Sequence, residues 1–207
     1  MASVRLALPN RSPYTQRVGD ERPDPRQAFC KGDRTAFAAL ARPHLDTVFT
    51  LCLRMTGNRA EAEDLAQDAL CRAMENCHRY DPTREFRPWL LTIAANLCRD
   101  RVRGGWWRGL ARRLQFDRHL RDDEDALADA DSDAHVRRAL ATLPTHYREA
   151  LALFHLSEMS YEEMSLVTGV GVSALKQRVR RGSALLRDAV TEMYPDRALA
   201  RTLAEPK

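Results

Sequence analysis

Four polar side chains in one short stretch, Lys176, Gln177, Arg180 and Arg181, carry the most specific chemistry in this sequence. At helical spacing they share one face. Arginine and lysine suit phosphates and guanine edges, and glutamine suits adenine edges in the major groove. Phosphate contacts would supply most of the affinity and base contacts the selectivity. An arginine-rich helix is ordinarily a solvated face. This one follows a short amphipathic segment with Met164 and Val167 inward, and the turn Thr168-Gly169-Val170-Gly171, in which Gly169 permits a positive φ. Ser160 with Glu163 three residues later forms a capping box at the start of the short segment. Val172, Leu175, Val179 and Leu186 supply the inward side of the second helix. Short helix, glycine turn and basic helix, in that order, form a helix-turn-helix.

A second stretch, YDPTREFRPWLLTIAANLCRDRVR, places Phe86 and Trp89 ahead of Asn96, Arg99, Asp100, Arg101 and Arg103. Aromatic and basic residues together suit single-stranded nucleic acid, where an unstacked base needs a new surface or pocket. Phe86 and Trp89 fit a hydrophobic core equally well. A third stretch, EAEDLAQDAL, has the opposite character: Glu61, Glu63, Asp64 and Asp68 make an acidic helix face. The Asp64–Asp68 repulsion costs a helix about 0.2–0.5 kcal/mol. Such a face is solvated, or it docks on a basic protein surface; it does not suit DNA.

The elements needed to position these residues are all helical. Glycine is scarce while alanine, leucine and arginine abound. Residues 1–25 are rich in proline, arginine and polar types and read as a flexible tail. A first helical unit spans 26–103. Its opening run over 26–57 is interrupted at Gly32 and Pro43. Gly57-Asn58 stops it, and Asn58 caps a helix carrying Ala62, Leu65, Ala66, Ala69, Leu70 and Ala73. After a loop at 80–83, a last helix carries Trp89, Leu90, Ile93, Ala94 and Leu97 over 86–102. Gly104-Gly105 is expected to break it. Residues 104–133 read as a linker: a basic stretch with Arg108, Arg112 and Arg113, then eight acidic residues against two arginines over 117–133. A second unit spans 134–190, with Tyr147, Leu151, Phe154 and Leu156 on one helix before the helix-turn-helix. Residues 191–207 form a frayed tail. The expected fold class is all-α: two small helical domains joined by a flexible acidic linker.

The composition excludes several function classes. The 207 residues carry a formal net charge of +4, a weak pointer to nucleic acid beside the segregation of charge along the chain. No apolar run is long enough to cross a membrane, and the N-terminus lacks the apolar core of a signal peptide, so a cytoplasmic protein is expected. Cys30, Cys52, Cys71, Cys77 and Cys98 are odd in number and contain no C-x-x-C pair, which points to buried reduced thiols. Cys71 and Cys77 lie about 120° apart around a helix. There is no phosphate-binding glycine loop, H-E-x-x-H or nucleophile elbow. His44, His146 and His155 read as partly buried helix residues. No enzyme activity, metal, cofactor or small-molecule substrate is expected.

EAEDLAQDAL, FRPWLLTIAANLCRD and LPTHYREALALFHLSEMSYEEMSLVTGVGVSALKQRVRRG, in that order, resemble regions two and four of bacterial sigma factors of the extracytoplasmic-function class. The resemblance covers 28–103 and 134–190. It implies a protein that directs RNA polymerase core to promoters and aids melting, in a stress or envelope response. It implies that Asp64, Gln67, Asp68 and Arg72 bind the clamp helices of the polymerase's largest subunit. It assigns the minus-ten element to the loop 81–87 and the helix after it, through Arg84, Phe86, Arg87, Trp89, Asn96, Arg99, Asp100 and Arg103. It assigns the minus-thirty-five element to Ser173, Lys176, Gln177, Arg180 and Arg181. The acidic linker would run through the RNA exit path, the second unit would meet the flap, and an anti-sigma factor would hold the free protein. The recognition segment reads Leu175-Lys176-Gln177-Arg178, where family members often carry Val-Lys or Val-Arg followed by Ser-Arg. Gly182 stands where alanine is common, with an expected helix penalty of about 1 kcal/mol.

Two other readings use the same residues. One is a two-domain regulator that senses a ligand through its first half and binds DNA as a dimer. The other is an interaction protein that sequesters polymerase or another factor. A one-to-one complex with core separates the first from a sigma factor, and promoter opening separates the second.

Overall fold

The computed structural model describes residues 24–113, 132–155 and 159–195, and every described element is helical. The expected tail before residue 24, most of the acidic linker, Leu156 and the tail beyond 195 lie outside the described residues.

The chain enters through α1 (Pro25–Cys30), where Asp24 accepts the Arg26 N–H and proline takes the first helical position. Gly32 turns the chain at φ 87°, and Asp33 caps α2 (Arg34–Ala41) by accepting the N–H groups of Thr35 and Ala36. Pro43 sits in a single 3-10 turn, Arg42–His44, leading into α3 (Leu45–Thr56). Gly57, in the left-handed region at φ 76°, ends α3, and Asn58 caps α4 (Arg59–Glu75) through the Glu61 N–H. A short 3-10 turn and a loop lead into α5 (Phe86–Arg113). The interruptions expected at Gly32, Pro43 and Gly57 are therefore in place.

The break expected at Gly104-Gly105 is not. Helix α5 continues through both glycines to Arg113. Glycine weakens a helix interior by about 1 kcal/mol but removes no hydrogen bond and creates no clash, unlike proline. The basic stretch assigned to the linker thus continues α5. The second unit comprises α6 (Ser132–Thr142), α7 (Thr145–His155), α8 (Tyr161–Thr168) and α9 (Val172–Met193). It starts slightly before the expected boundary, and α9 outruns its expected end at 190.

In the first unit α3, α4 and α5 pack mutually around Val48, Leu51, Met55, Leu65, Leu90 and Leu91. Helix α4 gives mostly alanines to this seam, Ala62, Ala69 and Ala73, which suits close packing on its neighbours. In the second unit Leu151, Met164, Val167, Leu175, Leu186 and Val190 form the core. Gly182 is buried there. A Cβ on it would lie 3.2 Å from Leu151 Cδ1 and 3.3 Å from Tyr147 Cβ, so the glycine lets α9 approach α7 closely. Its expected helix penalty is accompanied by a packing role that the local sequence does not reveal.

The two units do not stand apart. Helices α6 and α7 lie on α3, and α8 lies along α5, so the buried residues form one continuous cluster. At this seam Arg148, 8% exposed, donates from Nη1 to the Met55 carbonyl at 2.7 Å. Its Nη2 donates to the carbonyls of Ala141 and Leu143 at 2.6 and 3.0 Å. These oxygens belong to the last turn of α3 and the end of α6, where helices leave carbonyls unpaired and the dipole favours a cation. Its Nε–H has no partner among the described residues. Beside it, the buried Glu149 accepts from Arg99 Nη1 on α5 at 3.0 Å. Burial nevertheless pushes the Glu149 carboxyl above its usual range, outweighing the opposite pull of Arg99 and Arg178. The folded chain thus holds the Glu149 proton more tightly than the unfolded one, and this group's contribution falls as pH rises through its folded value.

Two stability changes follow. Arg148→Met strands carbonyls on two helices and lowers the unfolding free energy by about 2–4 kcal/mol. Glu149→Gln, a neutral isostere, stays within about 1 kcal/mol of the parent at neutral pH, because it removes a desolvation penalty together with an attraction. Urea denaturation of both variants measures the difference.

Candidate nucleic-acid interface

The helix-turn-helix is built as its sequence demands. Ser160 Oγ accepts the Glu163 N–H and the Glu163 carboxylate accepts the Ser160 N–H, at 3.1 and 2.8 Å. Helix α8 ends at Gly169, whose φ of 70° lies in the left-handed region. Thr168 Oγ1 donates to the Met164 carbonyl and accepts the Val170 N–H, which tightens the turn. Along α9, Leu175, Val179, Gly182, Leu186 and Val190 are buried. The opposite stripe, Ser173, Lys176, Gln177, Arg180 and Arg181, is exposed throughout. The Lys176 ammonium lies 5.6 Å from the centre of the Tyr161 ring, which faces Phe154 in turn.

On α4 the inward alanines leave Asp64, Gln67, Asp68 and Arg72 exposed on the outer side, at spacings of three and four. The acidic face is narrower than its four carboxylates suggest. Arg59 holds Glu63 at 3.0 Å, and Glu61 turns toward Arg101 of α5 at 3.6 Å. Asp64 and Asp68 are left as its outward negative charges.

The remaining predicted residues follow the loop into α5. Asp81 organises the loop by accepting the Thr83 hydroxyl and N–H and pairing with Arg84 at 3.3 Å; the Thr83 hydroxyl chiefly holds its carboxyl below the ordinary range. The Tyr80 hydroxyl donates to the Arg84 carbonyl at 2.6 Å. Arg84 is exposed and Arg87 half-buried. Trp89, Asn96, Asp100 and Arg103 recur at near-heptad spacing along one side of α5. Arg103 pairs with Asp100 at 2.6 Å, and Arg99 donates to both Asn96 and Glu149.

One assignment needs correction. Phe86 is 3% exposed, ringed by Phe29, Phe37, Tyr80 and Trp89 at centroid distances of 5.5–6.3 Å. So little of the ring reaches the surface that it is not presented to an unpaired base. It fixes the loop against the helix bundle. Trp89, half-buried, packs on Phe29 and Tyr80 in the same cluster.

Sequence reasoning missed the surroundings of this loop. A cavity of about 350 Å³ is lined by Arg26, Leu40, His44, Phe86, Arg87 and, from the second unit, Glu163. Arg26 reaches Glu85 at 3.1 Å. Burial, aided by Arg87, lowers the His44 pKa. Arg148 and Glu149 were also missed. Their signal was present: on α7 Arg148 shares a phase with Leu151 and Ala152, and Glu149 with Leu153, so both charges occupy the apolar face. Among the thiols, Cys52 and Cys98 are buried, and their mutual hydrogen bond together with burial pushes the Cys98 pKa up. Cys71 is exposed, contrary to the expectation of burial. No cluster suited to a metal and no membrane-length apolar helix occurs among the described residues.

Comparisons place this geometry among known proteins. The family described as Sigma-70 region 2 matches residues 40–108, and Sigma-70, region 4 matches residues 134–186. The chain is 32% identical over 174 residues to the extracytoplasmic-function RNA polymerase sigma factor SigW of Bacillus subtilis, covering 79% of this chain and 93% of that protein. It superposes with a TM-score of 0.64 on CnrH in a complex with the cytosolic domain of CnrY, at 26% identity over 82% of this chain and 96% of that one. The sigma factor RpoE of Bartonella quintana, solved with the anti-sigma factor NepR, shares the fold at a TM-score of 0.62 and 22% identity, covering 78% and 98%.

The corrected place of Phe86 has a measurable consequence. Phe86→Ala costs about 3–5 kcal/mol, as expected for an aromatic removed from a core, while Arg84→Ala stays within about 0.5 kcal/mol. Thermal melts followed by circular dichroism test the contrast; equal melting temperatures would return Phe86 to the surface.

Proposed function

The chain belongs to the extracytoplasmic-function class of RNA polymerase sigma factors, and from that premise we propose how its surfaces divide the work of starting transcription. A sigma factor directs polymerase core to promoters. In this chain the α4 stripe of Asp64, Gln67, Asp68 and Arg72 docks on the clamp helices of the largest subunit. The exposed stripe of α9 enters the major groove of the upstream promoter element, with Arg180 and Arg181 on phosphates or guanine edges and Gln177 and Lys176 reading bases. Arg84, Arg87, Asn96, Arg99, Asp100 and Arg103 receive the unpaired non-template strand of the minus-ten element, supported by Trp89.

The observation that carries this reading is the exposed polar stripe on α9, backed by a buried apolar stripe on the same helix. Melting is driven by binding energy: a base captured outside the stack is removed from the duplex equilibrium, and this chain hydrolyses no nucleotide. The protein acts in the cytoplasm beside polymerase, in a stress or envelope response, and an anti-sigma factor restrains it. The dimeric-regulator reading loses ground because the acidic α4 stripe has no use in it.

Run-off transcription from a cognate promoter requires this protein together with core. Arg180→Ala with Arg181→Ala weakens binding to the upstream duplex at least ~10-fold and flattens the dependence of log K on log salt by about 2, one unit per lost phosphate contact. Fluorescence anisotropy across a salt series measures both. An unchanged slope and affinity would remove α9 from the groove.

A further inference from the structure

The loop that carries Arg84 and Arg87 is tied at its entrance, across its middle and at its exit, and two of these ties run to α1. At the entrance the Cys30 thiol, at the end of α1, donates to the Tyr80 carbonyl at 3.2 Å. Across the loop the Tyr80 hydroxyl donates to the Arg84 carbonyl at 2.6 Å. At the exit Arg26 Nη2, in the first turn of α1, donates to both carboxylate oxygens of Glu85 at 3.1 and 3.2 Å. Helix α1 is itself anchored by Phe29, which is fully buried and packs on Tyr80, Phe86 and Trp89. A short helix remote from the loop in sequence thus holds both of its ends to the bundle.

We propose that α1 is a brace that sets base selectivity in the loop 81–87, with Arg26 and Tyr80 as its positioning residues. The inference rests on the assignment of that loop to the unpaired minus-ten strand. A loose loop readjusts around a wrong base as readily as around the right one, so the two affinities converge. A loop held in one shape keeps the misfit of the wrong base and loses less entropy on binding the right one. Tyr80 suits this role: its ring is buried, and burial pushes the phenol pKa up, so the hydroxyl stays a donor. The Arg26–Glu85 pair lies at the surface, where an ion pair contributes little to stability. Its effect is on where the end of the loop sits.

The test uses the full chain bound to polymerase core. Fluorescence anisotropy reports binding of single-stranded oligonucleotides carrying the minus-ten sequence of the cognate promoter, or a single base change in it. Tyr80→Phe keeps the ring and removes the hydroxyl; it narrows the gap between preferred and substituted base about 5-fold. Arg26→Ala narrows the gap about 3-fold, while the melting temperature and the affinity for the upstream duplex stay at parent values. Arg26→Ala with Glu85→Ala removes the tie without leaving a carboxylate unpaired, and it is as unselective as Arg26→Ala. Parental discrimination in either single variant overturns the brace. So does recovery of discrimination in the double variant, which would make Arg26 a neutralising charge and nothing more. A parent complex with no base preference would instead sink the assignment of the loop to the minus-ten element, and the brace with it.

Discussion

The guanidinium of Arg148 gathers the ends of two helices that belong to different halves of the chain. It sits where α3 and α6 both run out of intrahelical donors, and it fills that shortage with charge-assisted bonds. An unpaired carbonyl buried at such a junction is costly, so the junction holds only while α7 presents its cation there. From this constraint the rest of the docking follows. With Arg148 fixed at the end of α3, the next residue, Glu149, meets Arg99 of α5, and α8 is laid along the same helix. The apolar cluster then runs without interruption from Val48 and Leu90 to Leu151 and Leu175.

Opposite charge is kept on separate surfaces by the same geometry. Small inward residues set α4 close to its neighbours and leave Asp64 and Asp68 outward, while Glu61 and Glu63 are drawn to arginines. The buried stripe of α9, with Gly182 pressed against Leu151, turns five polar residues to solvent. A protein that must grip a large enzyme and a polyanion through one short chain needs this separation, since an acidic patch beside the groove-reading helix would repel phosphate.

Much of this was legible in the residues. Gly32, Pro43, Gly57, Asn58, Ser160 and Gly169 each act locally, through a positive φ, a missing donor or a cap, and the helix boundaries they mark are found in the structure. The outward stripe of α9 follows from periodicity alone. Gly104-Gly105 misled because two glycines weaken a helix without forbidding it, and the pattern gives no measure of what offsets them. Phe86 misled because an aromatic beside arginines satisfies two patterns, and only the positions of Phe29 and Tyr80, remote in sequence, decide between them. The docking of the halves was illegible for the same reason. Met55 and Arg148 are joined across ninety-three positions, although a charge on the apolar phase of α7 was a sign that something must receive it.

Amide hydrogen exchange of the full chain, free and bound to polymerase core, addresses the docked arrangement most directly. The account predicts slow exchange in α7 and the end of α3 in the free chain. On binding core, α4 slows. Exchange in α7 and α3 that is equally fast in both states, with α4 unaffected by core, would contradict it.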